Sequence, residues 1–88
     1  MNSAAVEAPV IDPMITFLTR EGYNPIRRLD DGTYIAIGNL MFTKALYVGC
    51  DGSGYKHRFC FRDLNECLAQ FDAYTDILYE PTGWIARR

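Results

Sequence analysis

The chain is poor in the residues that most often carry chemistry. It holds one histidine and three cysteines among 88 residues, and Cys50, Cys60 and Cys67 form no C-x-x-C pair. Structural zinc is held by ligands paired at such short spacing. Cys50, His57, Cys60 and Cys67 therefore read as ordinary thiols and a lone imidazole, and no metal or other cofactor is expected. An odd cysteine count also argues against the even disulfide framework of small secreted domains. Apolar runs are a few residues long and broken by charge, too short to cross a bilayer. The opening MNSAAVEAPVIDP has no Lys or Arg and carries Glu7 and Asp12, unlike a signal peptide. These absences set the expectation of a cytoplasmic protein with reduced thiols.

Nucleophilic catalysis finds little support. Cys60 and His57 are an odd number of residues apart, so on one strand they would face opposite ways. No third group is placed to orient the imidazole. The glycines of Val48-Gly49-Cys50-Asp51-Gly52-Ser53-Gly54 precede a strand pattern, whereas a phosphate loop needs a helix and a lysine after it. Turn chemistry accounts for them, as it does for the paired carboxylates Asp30-Asp31.

What is present is a core. The chain is 49% hydrophobic and 14% aromatic, enough for one compact domain over residues 12–88 and too much for a disordered chain. Residues 1–11 lack periodicity and read as a flexible leader. Asp12-Pro13 signals a helix start, and Met14, Phe17 and Leu18 form one stripe of a short helix ending at Gly22.

Strand-favouring residues then dominate from Thr33 to Phe61. Ile26–Leu29 predicts a first strand, and Asp30-Asp31-Gly32 a hairpin turn into a second. Its reversal falls either at Gly38-Asn39, the favoured register, or near Thr43-Lys44 after a run through Leu40-Met41-Phe42. A third strand ends at Val48, and Asp51–Gly54 turns into a fourth at Tyr55–Phe61. Alternation along that strand places Tyr55, His57, Phe59 and Phe61 on an inner face, with Lys56, Arg58, Cys60 and Arg62 on an outer, basic one.

Asp63 caps an amphipathic helix carrying Leu64, Cys67, Leu68, Phe71 and Tyr74. Trp84-Ile85-Ala86 adds a short edge strand or tucks Trp84 against the helix. The expected fold is α+β: an antiparallel sheet of about four strands, with a possible short fifth. It packs against a C-terminal helix and carries a short N-terminal one.

Charge is segregated although the net value is only −2. From residue 63 to 80 Asp63, Glu66, Asp72, Asp76 and Glu80 meet no base, so Glu66, Asp72, Asp76 and Glu80 are candidate partner-binding acids, with Tyr47, Tyr74 and Trp84 as aromatic anchors. The alternative is a single-stranded nucleic-acid module using Lys44, Lys56, Arg58 and Arg62. The overall acidic balance counts against it.

The pattern Leu40-Met41-Phe42-Thr43, Val48-Gly49, Gly54-Tyr55 with Arg58-Phe59-Cys60-Phe61, and Gly83-Trp84 resembles small uncharacterised proteins of phages and proteobacterial mobile elements. The likeness covers roughly residues 30–88. It implies a host-takeover setting in which small acidic proteins, anti-CRISPR proteins among them, block an effector by direct contact. The expectation is a non-enzymatic protein-binding module that contacts a host protein, such as a CRISPR effector complex, without membrane involvement.

Overall fold

The computed structural model describes residues 12–40 and 43–87. The expected leader, with Met41, Phe42 and Arg88, lies outside the described residues. Asp12 opens helix α1, Pro13–Arg20, by accepting hydrogen bonds from the Met14 and Ile15 amides at 2.9 and 3.4 Å. That satisfies two of the amides a helix start leaves free. Its other oxygen accepts from the Tyr34 hydroxyl at 2.6 Å, which fastens the helix to the sheet. Of the expected stripe, Leu18 is buried and Met14 half-buried, but Phe17 faces outward. Two turns of helix bury a narrower strip than the spacing allowed.

Five antiparallel strands follow in chain order: β1 Ile26–Arg28, β2 Tyr34–Asn39, β3 Lys44–Val48, β4 His57–Phe61 and β5 Ala86–Arg87. Helix α2, Leu64–Ala73, lies between β4 and β5 in sequence. Asp63 caps it by accepting from the Glu66 amide at 2.9 Å. The fold is therefore α+β, and the short fifth strand forms, pairing Cys60 with Ala86 and Phe59 with Arg87.

Asn39 pairs with Lys44, so β2 and β3 reverse between these residues. That replaces both the turn at Gly38-Asn39 and the longer run to Thr43-Lys44. Gly38 stays inside the strand for a packing reason: a Cβ there would stand 2.9 Å from Tyr47 Cε2 and 3.2 Å from the Tyr23 ring.

Cross-strand partners share a face, so the register divides the sheet cleanly. One face carries Ile35, Ile37, Leu46, Val48, Phe59 and Phe61, sealed by Cys67, Phe71 and Tyr74 from α2 and its cap. Burying such side chains stabilises the fold by about 1.5–3 kcal/mol each. The opposite face carries Ala36, Ala45, Tyr47 and Cys60 beneath Leu18, Met14 and Tyr23. Small side chains there leave room for the tyrosines. Both faces are thus covered, in contrast to the expected open basic one.

Arg27 binds the end of α2 to the sheet. Its guanidinium donates to the Phe71 and Asp72 carbonyls at 2.6 and 3.3 Å. The last turn of α2 has no basic residue of its own, so this cation meets both the unpaired carbonyls and the negative end of the helix dipole. No helix among the described residues is long and apolar enough to cross a membrane.

Candidate protein-binding surface

The site grows from two aspartates in turns. In the β1–β2 loop the Leu29 amide donates to the Thr33 carbonyl at 2.7 Å and the Gly32 amide to the Leu29 carbonyl at 2.9 Å. Gly32 takes φ 88°, a region costly for a side chain with Cβ. Asp31 braces this loop and reaches beyond it. One of its oxygens accepts from the Thr33 amide at 2.9 Å, the other from the Ile77 amide at 2.9 Å. A single carboxylate ties the hairpin to the segment that leaves α2.

That segment makes its own turn. The Asp76 carboxylate accepts from the Leu78 amide at 2.9 Å, and the Asp76 carbonyl accepts from the Tyr79 amide at 3.0 Å. The side chains on either side point inward. Ile77 packs on the main core, while Tyr79 lies 4.8 Å from the Tyr74 ring and donates its hydroxyl to Gln70 Oε1 at 3.1 Å. Thr82 binds the same oxygen through its amide at 3.1 Å. With both neighbours committed to the core, Leu78 stands out 82% exposed.

The β3–β4 loop lies at the same end of the sheet. Asp51 accepts from the Ser53 amide and hydroxyl at 2.7 and 2.8 Å, and its own amide donates to the Gly54 carbonyl at 2.9 Å. A shallow depression of about 250 Å3, lined by Asp31, Tyr34, Gly49, Asp51, Lys56 and Ile77 among others, joins the two loops. The Ile77 amide, and after it the Thr33 side chain and amide, hold the Asp31 carboxyl below the usual range; the Ser53 amide and hydroxyl do the same for Asp51. Both groups are therefore firmly anionic at neutral pH.

Three cations lie nearby, and of these Arg28 and Lys56 are exposed, Lys56 lining the depression and adding its charge to the groups that lower the Asp51 carboxyl. Arg27 caps α2, Arg28 stands 6.0 Å from the Tyr34 ring centre, and the stem of Lys56 packs over Gly49. At the turn itself Asp76 and Glu80 flank the one exposed apolar side chain, Leu78, with no basic residue in that segment.

The acids singled out by sequence are divided. Glu66 sits exposed in the first turn of α2, at the far end from Asp76, whereas Asp72 is exposed beside the helix end that Arg27 caps. Asp76 is in the turn and Glu80 is exposed just after it. Of the aromatic anchors only Trp84 is accessible, 40% exposed; its indole donates to the Pro81 carbonyl at 3.1 Å and its ring packs on Phe59. Tyr74 is 1% exposed and Tyr47 8%. Neither can offer a ring to a partner without unfolding, because each fills a core.

The basic set does not form a stripe. Lys44 pairs with Phe61 on the α2 face and donates to Asn39 Oδ1 at 2.6 Å, whereas Arg58 pairs with Tyr47 on the other. Arg58 is half-buried, its Nε without a hydrogen-bond partner among the described residues. The Tyr47 hydroxyl beside it raises its pKa. Lys56 and Arg62 are exposed but lie outside β4.

Tyr55 also departs from the alternation. It precedes the strand and packs edge-on against Tyr47 at 4.9 Å, on the face opposite Phe59 and Phe61.

Cys50, Cys60 and Cys67 are free and buried, and burial pushes the Cys50 and Cys67 thiols up to about 11. Among the described residues no three His, Cys, Asp or Glu side chains gather as metal ligands would. What sequence reasoning missed is Leu78 and the part played by Asp31. Asp76-Ile77-Leu78-Tyr79 signalled the local turn, an aspartate followed by two apolar residues flanking a third, but nothing local signalled the contact with Asp31, 46 residues away. Comparison with protein-family models, curated proteins and solved structures finds no match.

Proposed function

We propose that the chain is a non-enzymatic protein-binding module that presents Leu78, with Asp76 and Glu80 beside it, to an apolar pocket rimmed by lysine and arginine. The observation that carries this is the 82% exposure of Leu78 on a turn already fastened by Asp31 and Asp76. An apolar side chain on a mobile loop would lose much of its binding energy to ordering; here the ordering precedes contact. Burying Leu78 would contribute about 1.5–3 kcal/mol. The carboxylates would raise the association rate and select a basic partner.

A nucleic-acid-binding effector offers such a partner, because its groove is lined with cations. The module then acts by competition for that groove, as a phage-encoded inhibitor of the anti-CRISPR type does. No chemistry on a substrate is required.

Photo-cross-linking tests it. Benzoylphenylalanine placed at position 78 should capture a partner protein in host lysate, and the same probe at exposed Asn65 should not. Capture at 78 should fall with added salt and with Asp76→Lys combined with Glu80→Lys. Equal capture at both positions, or binding of single-stranded DNA with a steep salt dependence, would count against the proposal.

A further inference from the structure

A second recess lies on the other side of Asp51. It is a cavity of about 260 Å3 between the end of α1 and the β3–β4 turn, lined by Phe17, Leu18, Glu21, Tyr23, Cys50 and Asp51 with the small residues of that turn. Leu18 and Cys50 are buried and give an apolar floor, whereas Phe17 is exposed at the rim. Two of the lining residues are acidic and none is basic. Lys56 sits in the neighbouring depression, and Arg20 is exposed on the last turn of α1 outside the lining.

We infer that this cavity receives an arginine side chain of the partner protein. Aromatic walls suit the flat, weakly hydrated guanidinium, which stacks on rings and meets carboxylates through its fork of donors. A lysine, being a compact and strongly hydrated charge, gains less from such walls. The inference rests on reading this end of the molecule as the partner-facing one.

The test needs no partner. N-acetyl-arginine methylamide titrated into the isotopically labelled full chain should move the amide signals of Tyr23, Cys50 and Ser53 saturably. The neutral citrulline counterpart should leave them in place. Arginine should bind the Glu21→Gln variant about threefold more weakly, the scale of one exposed charge pair, and the lysine counterpart, which keeps the charge but lacks the flat guanidinium, should bind the parent more weakly than arginine does. Leu78→Asp should bind arginine as the parent does. Absence of saturable shifts with arginine, equal shifts with citrulline, or equal affinity for lysine would overturn the assignment. If arginine fails while cross-linking through position 78 persists, the pocket assignment alone falls. If cross-linking fails while arginine binds, the cavity stands and the Leu78 contact falls.

Discussion

Replacing Arg27 by methionine keeps an unbranched stem and removes the guanidinium that closes α2. Two hydrogen bonds, at 2.6 and 3.3 Å, go with it. A hydrogen bond from a charged donor contributes about 1.5–3 kcal/mol when well shielded, and the interaction with the helix end about 0.3–1 kcal/mol. The exposed Asp72 carbonyl can take water in exchange, and the second bond is long, so the low end applies and the loss should be about 2 kcal/mol. Against a total of about 4–13 kcal/mol for a chain of this size, that is a substantial fraction. Urea unfolding followed by circular dichroism should show a lower midpoint with an unchanged slope, and the melting temperature should drop by about 8–16 °C. Arg27→Lys keeps the charge without the fork and should recover about half. Amides in the last turn of α2 should exchange faster. A methionine variant within about 0.5 kcal/mol of the parent would refute the assignment of Arg27 as the helix cap.

Other consequences follow from the same contacts. Gly38→Ala places a Cβ against Tyr47 and Tyr23 and should cost about 1–3 kcal/mol in urea unfolding; adding Tyr23→Ala should make the alanine at 38 less costly. Asp31 has a depressed carboxyl pKa in the folded state. Its contribution is therefore present above the unfolded value of about 3.9 and lost as pH falls through the lower folded value. The Ile77 amide signal should move in that acid window, and Asp31→Asn should abolish the movement. The Cys50 and Cys67 thiols, held up at about 11, should resist iodoacetamide at pH 8 until the chain unfolds. Since the unfolded thiols ionise first, stability should decline above about pH 8.5.

The architecture was legible because each element announces itself locally. Asp12-Pro13 and Asp63 mark helix starts, Asp30-Asp31-Gly32 and Asp51–Gly54 mark turns, and the periodicity of Cys67, Phe71 and Tyr74 marks the sealing face. Alternation failed where the strand itself stops. Tyr55 lies ahead of β4, past Gly54 at φ 145°, so the two-residue period does not reach it.

The covering of both sheet faces was not readable either, since Ala36, Ala45 and Gly38 reveal their purpose only when Tyr23 and Tyr47 are seen lying over them. Nor could local pattern show that Asp31 and Ile77, separated by 46 residues, meet. The surface around Leu78 depends on that long-range contact, and a count of acids along the chain therefore drew Glu66 into a set from which the fold separates it.

The most direct measurement is non-covalent pull-down, by the parent chain, by Leu78→Asp and by Leu78→Met, of the partner that cross-linking through position 78 identifies, each chain first shown to have the parent's circular dichroism and urea midpoint. Position 78 touches little of its own fold, so stability should hold in all three. Capture should survive methionine, which preserves apolar bulk, and fall by at least about tenfold with aspartate, equivalent to about 1.4 kcal/mol. Undiminished capture by the folded aspartate variant would contradict the claim that this turn is the contact.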